Sequence, residues 1–339
     1  MGWPAYDPLP MQPKTTLLQD LRAKLRLGHF SRRTEEAYVA WVKRFVRHHG
    51  ARHPRDLGER EVVAFLTYLA VDRHLSAATQ NQALAALQFL YKHVIDRPLT
   101  GLGDVPRARG PVRLPVVLTE SEVRKVLAEL DGLPWLIAAL LYGSGMRILE
   151  CLTLRVKDVD LERGEIRLRR GKGGKDRVTV LPAALKAPLT EHLRRVRKRW
   201  ELDLEAGGGA VALPDSLATK YPNAAREWPW QWMFPAARRH VVRDTGQWRR
   251  HHLDASVMQR AMTAAVRRSG ISKRASCHTL RHSFATHLIQ AGYDIRTIQE
   301  LMGHRDVSTT MLYLHVLQRG AGGVRSPADR LFGGDALSD

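Results

Sequence analysis

The sequence predicts a mainly α-helical protein with a small β-hairpin or sheet: an N-terminal four-helix domain followed by a larger α+β domain. Three observations carry this. Apolar residues recur at helical spacing over most of the 339 residues. The stretch 165–181 instead alternates with a period of two around a glycine-rich turn. A Pro/Gly/Arg tract at 97–115 interrupts the periodicity, in a chain whose length suits two domains better than one.

Taken in order, residues 1–13 are Pro-rich, lack the basic start and apolar stretch of a secretory signal, and are expected to be disordered. The helical domain is placed at 14–96. Leu17, Leu18, Leu21 and Leu25 form its first stripe. Thr34 with Glu35 and Glu36 resembles a helix start, followed by Tyr38, Trp41, Val42 and Phe45 and a stop at Gly50. Val62, Phe65, Leu66 and Leu69 make a third helix, and Ser76 caps a fourth carrying Leu84, Leu87, Leu90 and Val94. The linker 97–115 carries Arg97, Arg107, Arg109 and Arg113, and reads equally as a solvated tether or as a segment lying along phosphates.

The second domain is placed at 116–320. It opens with a capping box, Thr119 and Glu122, and a hydrophobic staple, Leu118 with Val123. An apolar helix over 133–142 breaks at Gly143 and Gly145. Two strands follow, one with Ile166 and Leu168 on a common face and one with Val178 and Val180, joined by the basic turn GKGGKD. A helix runs from Pro182 to about Glu205. Beyond Leu253 several helices end at Gly270, Gly292 and Gly303. The tail, 321–339, either frays or docks on a neighbouring protomer through Leu331 and Phe332.

Charge narrows the partner. Lys and Arg number 54 against 34 Asp and Glu, a net charge of +20 and a pI near 10.6. Cations at that density favour nucleic acid, because each phosphate they neutralise releases condensed counterions. An anionic membrane fits less well: no apolar run reaches spanning length, and the basic residues are spread along the chain. Two cysteines, Cys151 and Cys277, make neither a disulfide framework nor a Cys-x-x-Cys pair, in keeping with a reducing cytoplasm.

Three segments can carry chemistry: SGMRILE at 144–150, CHTLRHSFATHL at 277–288, and LMGHRDVSTTMLYLH at 301–315. Singly, each Arg, His or Tyr has an ordinary structural explanation. Together they suit one reaction. Moving a phosphodiester onto a protein without metal takes a nucleophile, cations for the non-bridging oxygens and a proton source for the leaving oxygen. Arginine supplies permanent, bidentate charge. A tyrosine phenolate is a leaving group good enough for the step to be reversed.

These segments resemble the tyrosine recombinases of the lambda-integrase type, whose pattern is Arg, Lys, His-x-x-Arg, His and Tyr. The positions here are Arg147, Lys172 in GKGGKDR, His278 and Arg281 in HTLR, His304 in LMGH, and Tyr313. The resemblance implies that Tyr313 attacks the scissile phosphate to leave a 3′-phosphotyrosine and a free 5′-hydroxyl. Arg147 and Arg281 then clamp the phosphate and Lys172 is the general acid, with Lys175 its competitor. His278 helps take the tyrosine proton and His304 hydrogen-bonds the phosphate. It implies two domains gripping DNA from opposite faces. It also implies a monomer when free, four protomers on two paired sites, and no cofactor, neither metal nor ATP. The histidines lack the carboxylate and Cys spacing of a zinc site.

An insert at about 190–250, including KYPNAAREWPWQWMFPA, is similar to the added segment of integron integrases. Those capture gene cassettes at folded single-stranded attC and double-stranded attI sites. Its tryptophans are expected to pack as an extra helix. Pro235, His251 and His252 are the candidates for holding extrahelical bases, with Arg249 and Arg250 on phosphates and Lys175 also a DNA candidate. The alternatives are a duplex-specific recombinase of the chromosome-dimer-resolving or phage type, a type IB topoisomerase, and an inactive DNA-binding accessory protein.

Overall fold

The computed structural model describes residues 16–100, 115–169, 176–214, 217–243, 245–304, 306, 310, 311 and 313. The chain divides into two compact units, residues 1–113 and 114–339. The expected disordered N-terminus, Lys172 and Lys175, most of the linker including Arg107, Arg109 and Arg113, and the C-terminal tail lie outside the described residues.

In the first unit, α1 (Leu17–Leu27), α2 (Arg32–His48), α3 (Glu59–Val71) and α4 (Ala77–His93) pack around Leu25, Val42, Phe45, Phe65, Leu87 and Leu90. Thr16 and Gln19 form a reciprocal cap on α1, and Ser76 caps α4. The second helix starts three residues before the expected point, because Ser31 rather than Thr34 caps it. Glu35 consequently lies one turn inside the helix, nearly buried, and pairs with Arg26 at 3.0 Å and Arg22 at 3.5 Å. Arg97 is no tether residue: its guanidinium lies over the Tyr91 ring and donates to the Leu57 and Arg55 carbonyls.

The second unit opens with α5 (Glu120–Ala128), capped by Thr119 and Glu122 as the sequence predicts. The apolar α6 (Gly132–Ser144) is buried along nearly its whole length and leads to the short α7 (Ile148–Leu152). A three-stranded antiparallel sheet follows, β1 (Val159–Asp160), β2 (Glu165–Leu168) and β3 (Arg177–Val180), in the order β1-β2-β3. Ile166 and Leu168 face the core. On β3 the expected face is reversed. Val178 and Val180 are exposed and Thr179 is buried, because the register sets Thr179 opposite Ile166. The Thr179 hydroxyl is satisfied there by donating to the Ser144 carbonyl at 2.7 Å.

After α8 (Lys186–Glu205) and the short α9 (Leu217–Lys220), the insert is not an extra helix. It consists of tight 3-10 turns and a two-stranded antiparallel hairpin, β4 (Pro235–Val241) with β5 (Trp248–His252). Alternating aromatic, proline and basic residues with little apolar content on either face suit a solvated hairpin better than an amphipathic helix. Its root is fastened to the core by Arg155, which donates to the Trp230 and Ala212 carbonyls at 2.7 and 2.6 Å and lies over the Trp232 ring. Lys157 lies over Trp230, and Trp228 packs on Trp200. The helices α10 (Ala255–Arg268), α11 (Cys277–Gln290) and α12 (Ile295–Met302) complete the unit. No helix among the described residues is long and apolar enough to cross a membrane.

Candidate functional site

The site is assembled by three chain reversals. Gly145 ends α6 in the left-handed region, at φ 64°, and a Cβ there would lie 2.4 Å from the Phe284 ring. Only glycine lets this turn sit against α11. Arg147 follows as the cap of α7. Gly303 ends α12 at φ 62°, and its bare Cα lets the Arg177 side chain pass within what would be 2.8 Å of a Cβ. The third reversal precedes α11, which Ser276 caps two positions after Arg274, so that His278 and Arg281 occupy its first turns.

The centre is a carboxylate ringed by guanidinium groups. Glu150 accepts from Arg177 at 2.9 and 2.7 Å, from the Arg147 side chain at 2.8 Å and from the Arg147 backbone N–H at 2.8 Å. Arg281 lies 3.8 Å away. Burial alone pushes the Glu150 pKa up, but the Arg177 hydrogen bonds, the Arg147 N–H and the charges of both outweigh it and bring it to about 2. Three arginines around one carboxylate leave an excess of positive charge, the electrostatic form of an anion site. Arg281 is fully buried and donates to the Gly145 and Met302 carbonyls. Its own pKa falls to about 9, through burial first and the neighbouring Arg147 second.

Around this cluster stand three histidines and the tyrosine. His304 faces Arg281 at 3.2 Å through Nε2 and Thr310 at 2.9 Å through Nδ1. The Tyr313 ring stacks parallel to His304 and is 2% exposed, closed off within the cluster of Phe284, Ile298 and Met302. Burial raises the Tyr313 pKa, and the Arg281 and Arg147 charges work against that rise, which puts the hydroxyl within their field. His282 Nδ1 is 2.9 Å from the Tyr313 hydroxyl, and the His278 ring packs edge-on against His282 at 4.4 Å.

Sequence reasoning therefore brings together Arg147, His278, Arg281, His304 and Tyr313, while Lys172 falls outside the described residues. It missed Arg177, Glu150 and His282. Glu150 and His282 sit inside the motifs SGMRILE and HTLRHSF, and the signal for them was their helical spacing to Arg147 and His278: three and four residues. Nothing in the local pattern pointed Arg177 at Glu150. Among the described residues no group of His, Cys, Asp and Glu is arranged to hold a metal ion.

In the insert, Pro235 pairs with His252 across the hairpin, and Arg249 bonds Gln247 at 2.8 Å. His251 is exposed and lies 4.0 Å from His252, ring to ring, with the Trp232 edge against both. Desolvation of the ring face packed on Trp232 and His252, then the His252 charge, lowers the His251 pKa to about 4. Arg250 does not fit the phosphate contact expected of it. It is nearly buried, paired twice with Asp203 at 2.7 and 2.8 Å and bonded to the Ala236 and Ala237 carbonyls. A surface that sequence reasoning passed over is the exposed stripe Gln259, Thr263 and Arg267 on α10 with Arg260 beside it.

The histidines make the unit acid-sensitive. Burial first, then nearby positive charge, lowers His282 to about 4 and His304 to about 3. An unfolded chain takes up these protons near pH 6.5, so between that value and the folded values it holds more protons and stability rises with pH. Urea unfolding is expected to show a loss on the order of 3 kcal/mol between pH 7.5 and 5. His304→Asn should flatten that dependence; an unchanged slope would exclude His304 as a source.

Comparison with known proteins gives a consistent result. The model of the phage integrase family matches residues 117–319, and that of the phage integrase N-terminal SAM-like domain matches 17–101. An integrase/recombinase of Escherichia coli is 51% identical over 96% of this chain and 97% of its own length. The tyrosine recombinase XerD of Agrobacterium fabrum is 31% identical over 76% of each. Among solved structures, the XerH site-specific recombinase bound to a palindromic difH substrate aligns with TM-score 0.60 at 20% identity, over 90% of this chain and 82% of that one. A lambda integrase dimer on a core site aligns at 0.59 and 16% identity, over 90% and 96%.

Proposed function

This chain belongs to the phage integrase family and is a tyrosine site-specific recombinase, and from that premise we propose that Tyr313 is its nucleophile. The observation that carries the assignment is geometric: the Tyr313 ring stacks on His304, whose Nε2 lies 3.2 Å from the Arg281 guanidinium. In the forward step the phenolic oxygen bonds to phosphorus, the P–O5′ bond breaks, and the 5′-oxygen takes a proton from Lys172. Arg147 and Arg281 hold the non-bridging oxygens, His304 hydrogen-bonds them, and His278 helps take the tyrosine proton as the O–P bond forms. A 5′-hydroxyl of another strand reverses the step. The bond energy is kept in the phosphotyrosine, so the residues themselves suffice without ATP or metal.

The finer reading is cassette recombination at folded single-stranded attC and double-stranded attI sites, by four protomers on two sites. What supports it is the insert. It is anchored to the core by Arg155, and its hairpin offers the exposed His251 with His252 and Pro235 as a stacking surface for bases pushed out of a helix. Arg249 remains a phosphate candidate beside them, and Arg250 does not. Lys175 stays a DNA candidate on sequence alone. Residues 14–96, 97–115 and 116–320 serve in this reading as helical DNA-binding domain, linker and catalytic domain. The second reading, a duplex-specific recombinase of the chromosome-dimer-resolving type, is favoured by the XerD relative.

A labelled strand folded as a hairpin site, compared with the same site as plain duplex, separates the two. In chelator and without nucleotide, an adduct that survives denaturation on the hairpin is expected. An adduct confined to duplex would leave the chemistry standing and remove the cassette reading.

A further inference from the structure

His282 has no role in the scheme above, yet among the described residues it is the side chain within hydrogen-bond distance of the Tyr313 hydroxyl, at 2.9 Å through Nδ1. We propose that His282 is a positioning residue that accepts the Tyr313 O–H and fixes the hydroxyl rotor, so that the phenolic oxygen is presented to the arginine cluster. This rests on Tyr313 being the nucleophile.

The geometry makes the interaction directional. A phenol O–H can rotate about its C–O bond, and a single well-placed acceptor chooses one orientation. His282 is suited to be that acceptor because it is held neutral. It is half-buried on α11, its neighbour His278 packs edge-on at 4.4 Å, and Arg281 precedes it in the chain. Both neighbours disfavour a second proton on the ring, so Nδ1 keeps its lone pair at neutral pH. The groups facing His282 are thus His278 and Arg281 on its own helix and Tyr313 from the segment after α12. His304 lies on the other side of the tyrosine, stacked on its ring. The tyrosine is clamped in two ways: its ring by His304, within the apolar cluster it shares with Phe284, and its hydroxyl by His282. In a buried site a misdirected oxygen costs near-attack geometry, and misplacements of this kind cost about 10²-fold in rate.

The division of labour explains two adjacent histidines spaced four apart on one helix face. His278, in the first turn, lies nearer the charge of Arg281 and Arg147. His282, one turn on, meets the nucleophile. The hydrogen bond transfers no charge at rest; it sets an orientation, and the proton passes to the imidazole pair of His282 and His278 only as the O–P bond forms.

The test is a single-turnover adduct assay on a hairpin or duplex site, whichever the wild type cleaves, with binding measured in parallel. His282→Leu removes the acceptor and is expected to slow adduct formation by about 30- to 100-fold with DNA affinity unchanged. His282→Asn places an amide oxygen near the Nδ1 position and should recover most of the rate. His282→Gln places it near Nε2 and should not. A substrate with sulfur in place of the bridging 5′-oxygen needs no proton on its leaving group, so it should rescue a general-acid defect but leave the His282→Leu deficit in place. Wild-type rates in His282→Leu would overturn the proposal, as would equal losses in the Asn and Gln variants with a lowered melting temperature, or rescue by the sulfur substrate. Adduct formation by Tyr313→Phe would instead remove the nucleophile assignment on which the proposal stands.

Discussion

Tyr313→Phe is expected to bind its DNA sites as the parent does and to form no covalent adduct, a loss on the order of 10⁴-fold or more. The substitution removes one oxygen and little else. The ring keeps its place between His304 and the Phe284 cluster, so the fold has no reason to change. The His282 Nδ1 it leaves behind loses a partner but is neutral, which limits the cost to roughly 1–3 kcal/mol. An inactive accessory protein predicts the opposite, because a binder that never uses the tyrosine keeps all its activity. Gel separation of adduct after denaturation, with affinity measured in parallel, decides between them.

Glu150→Gln is expected to have the largest effect on stability, roughly 3–5 kcal/mol. The variant keeps the shape of the side chain and removes the charge that holds Arg147, Arg177 and Arg281 together. With the carboxylate at 15% exposure and Arg177 at 10%, solvent does little to screen the remaining cations. The pH argument has the same sign. Glu150 titrates near 2 in the folded protein and in the usual range near 4.5 when unfolded. Its stabilisation is therefore complete above about pH 4.5 and is lost as pH falls toward 2. In the proposed mechanism a DNA phosphate occupies the same cluster, so the variant should gain more from DNA than the parent does. Thermal melts with and without the site duplex should show a lowered melting temperature for free Glu150→Gln and a larger rise on adding DNA. Equal melting temperatures without DNA would mean that the arginines are held by other contacts.

The helices were legible because their apolar stripes and caps are local. Thr119 with Glu122 and the glycines after α11 and α12 act within a single turn, and the pattern of the chain records them directly. The motif residues were legible for a different reason: one reaction needs that set of side chains. What was not legible depends on contacts distant in sequence. The burial of Thr179 and exposure of Val178 follow from pairing with β2, which a lone strand pattern does not encode. Arg250 looked like a free cation until Asp203, 47 residues earlier, was found against it. Arg177 looked like a strand residue, and its meeting with Glu150 is made by the turn at Gly303. The insert was misread as helix because Trp232 and Trp230 are held by Arg155 and Lys157 from another part of the chain.

The far end of the β2–β3 pair is held from two sides. Leu168 and Arg177 are paired across the sheet, and Arg177 is bonded to Glu150 and to the Leu301 carbonyl. One side chain thus ties the edge of the sheet, the end of α12 and the carboxylate of the arginine cluster to a common point, so a displacement of any one of the three is felt by the other two.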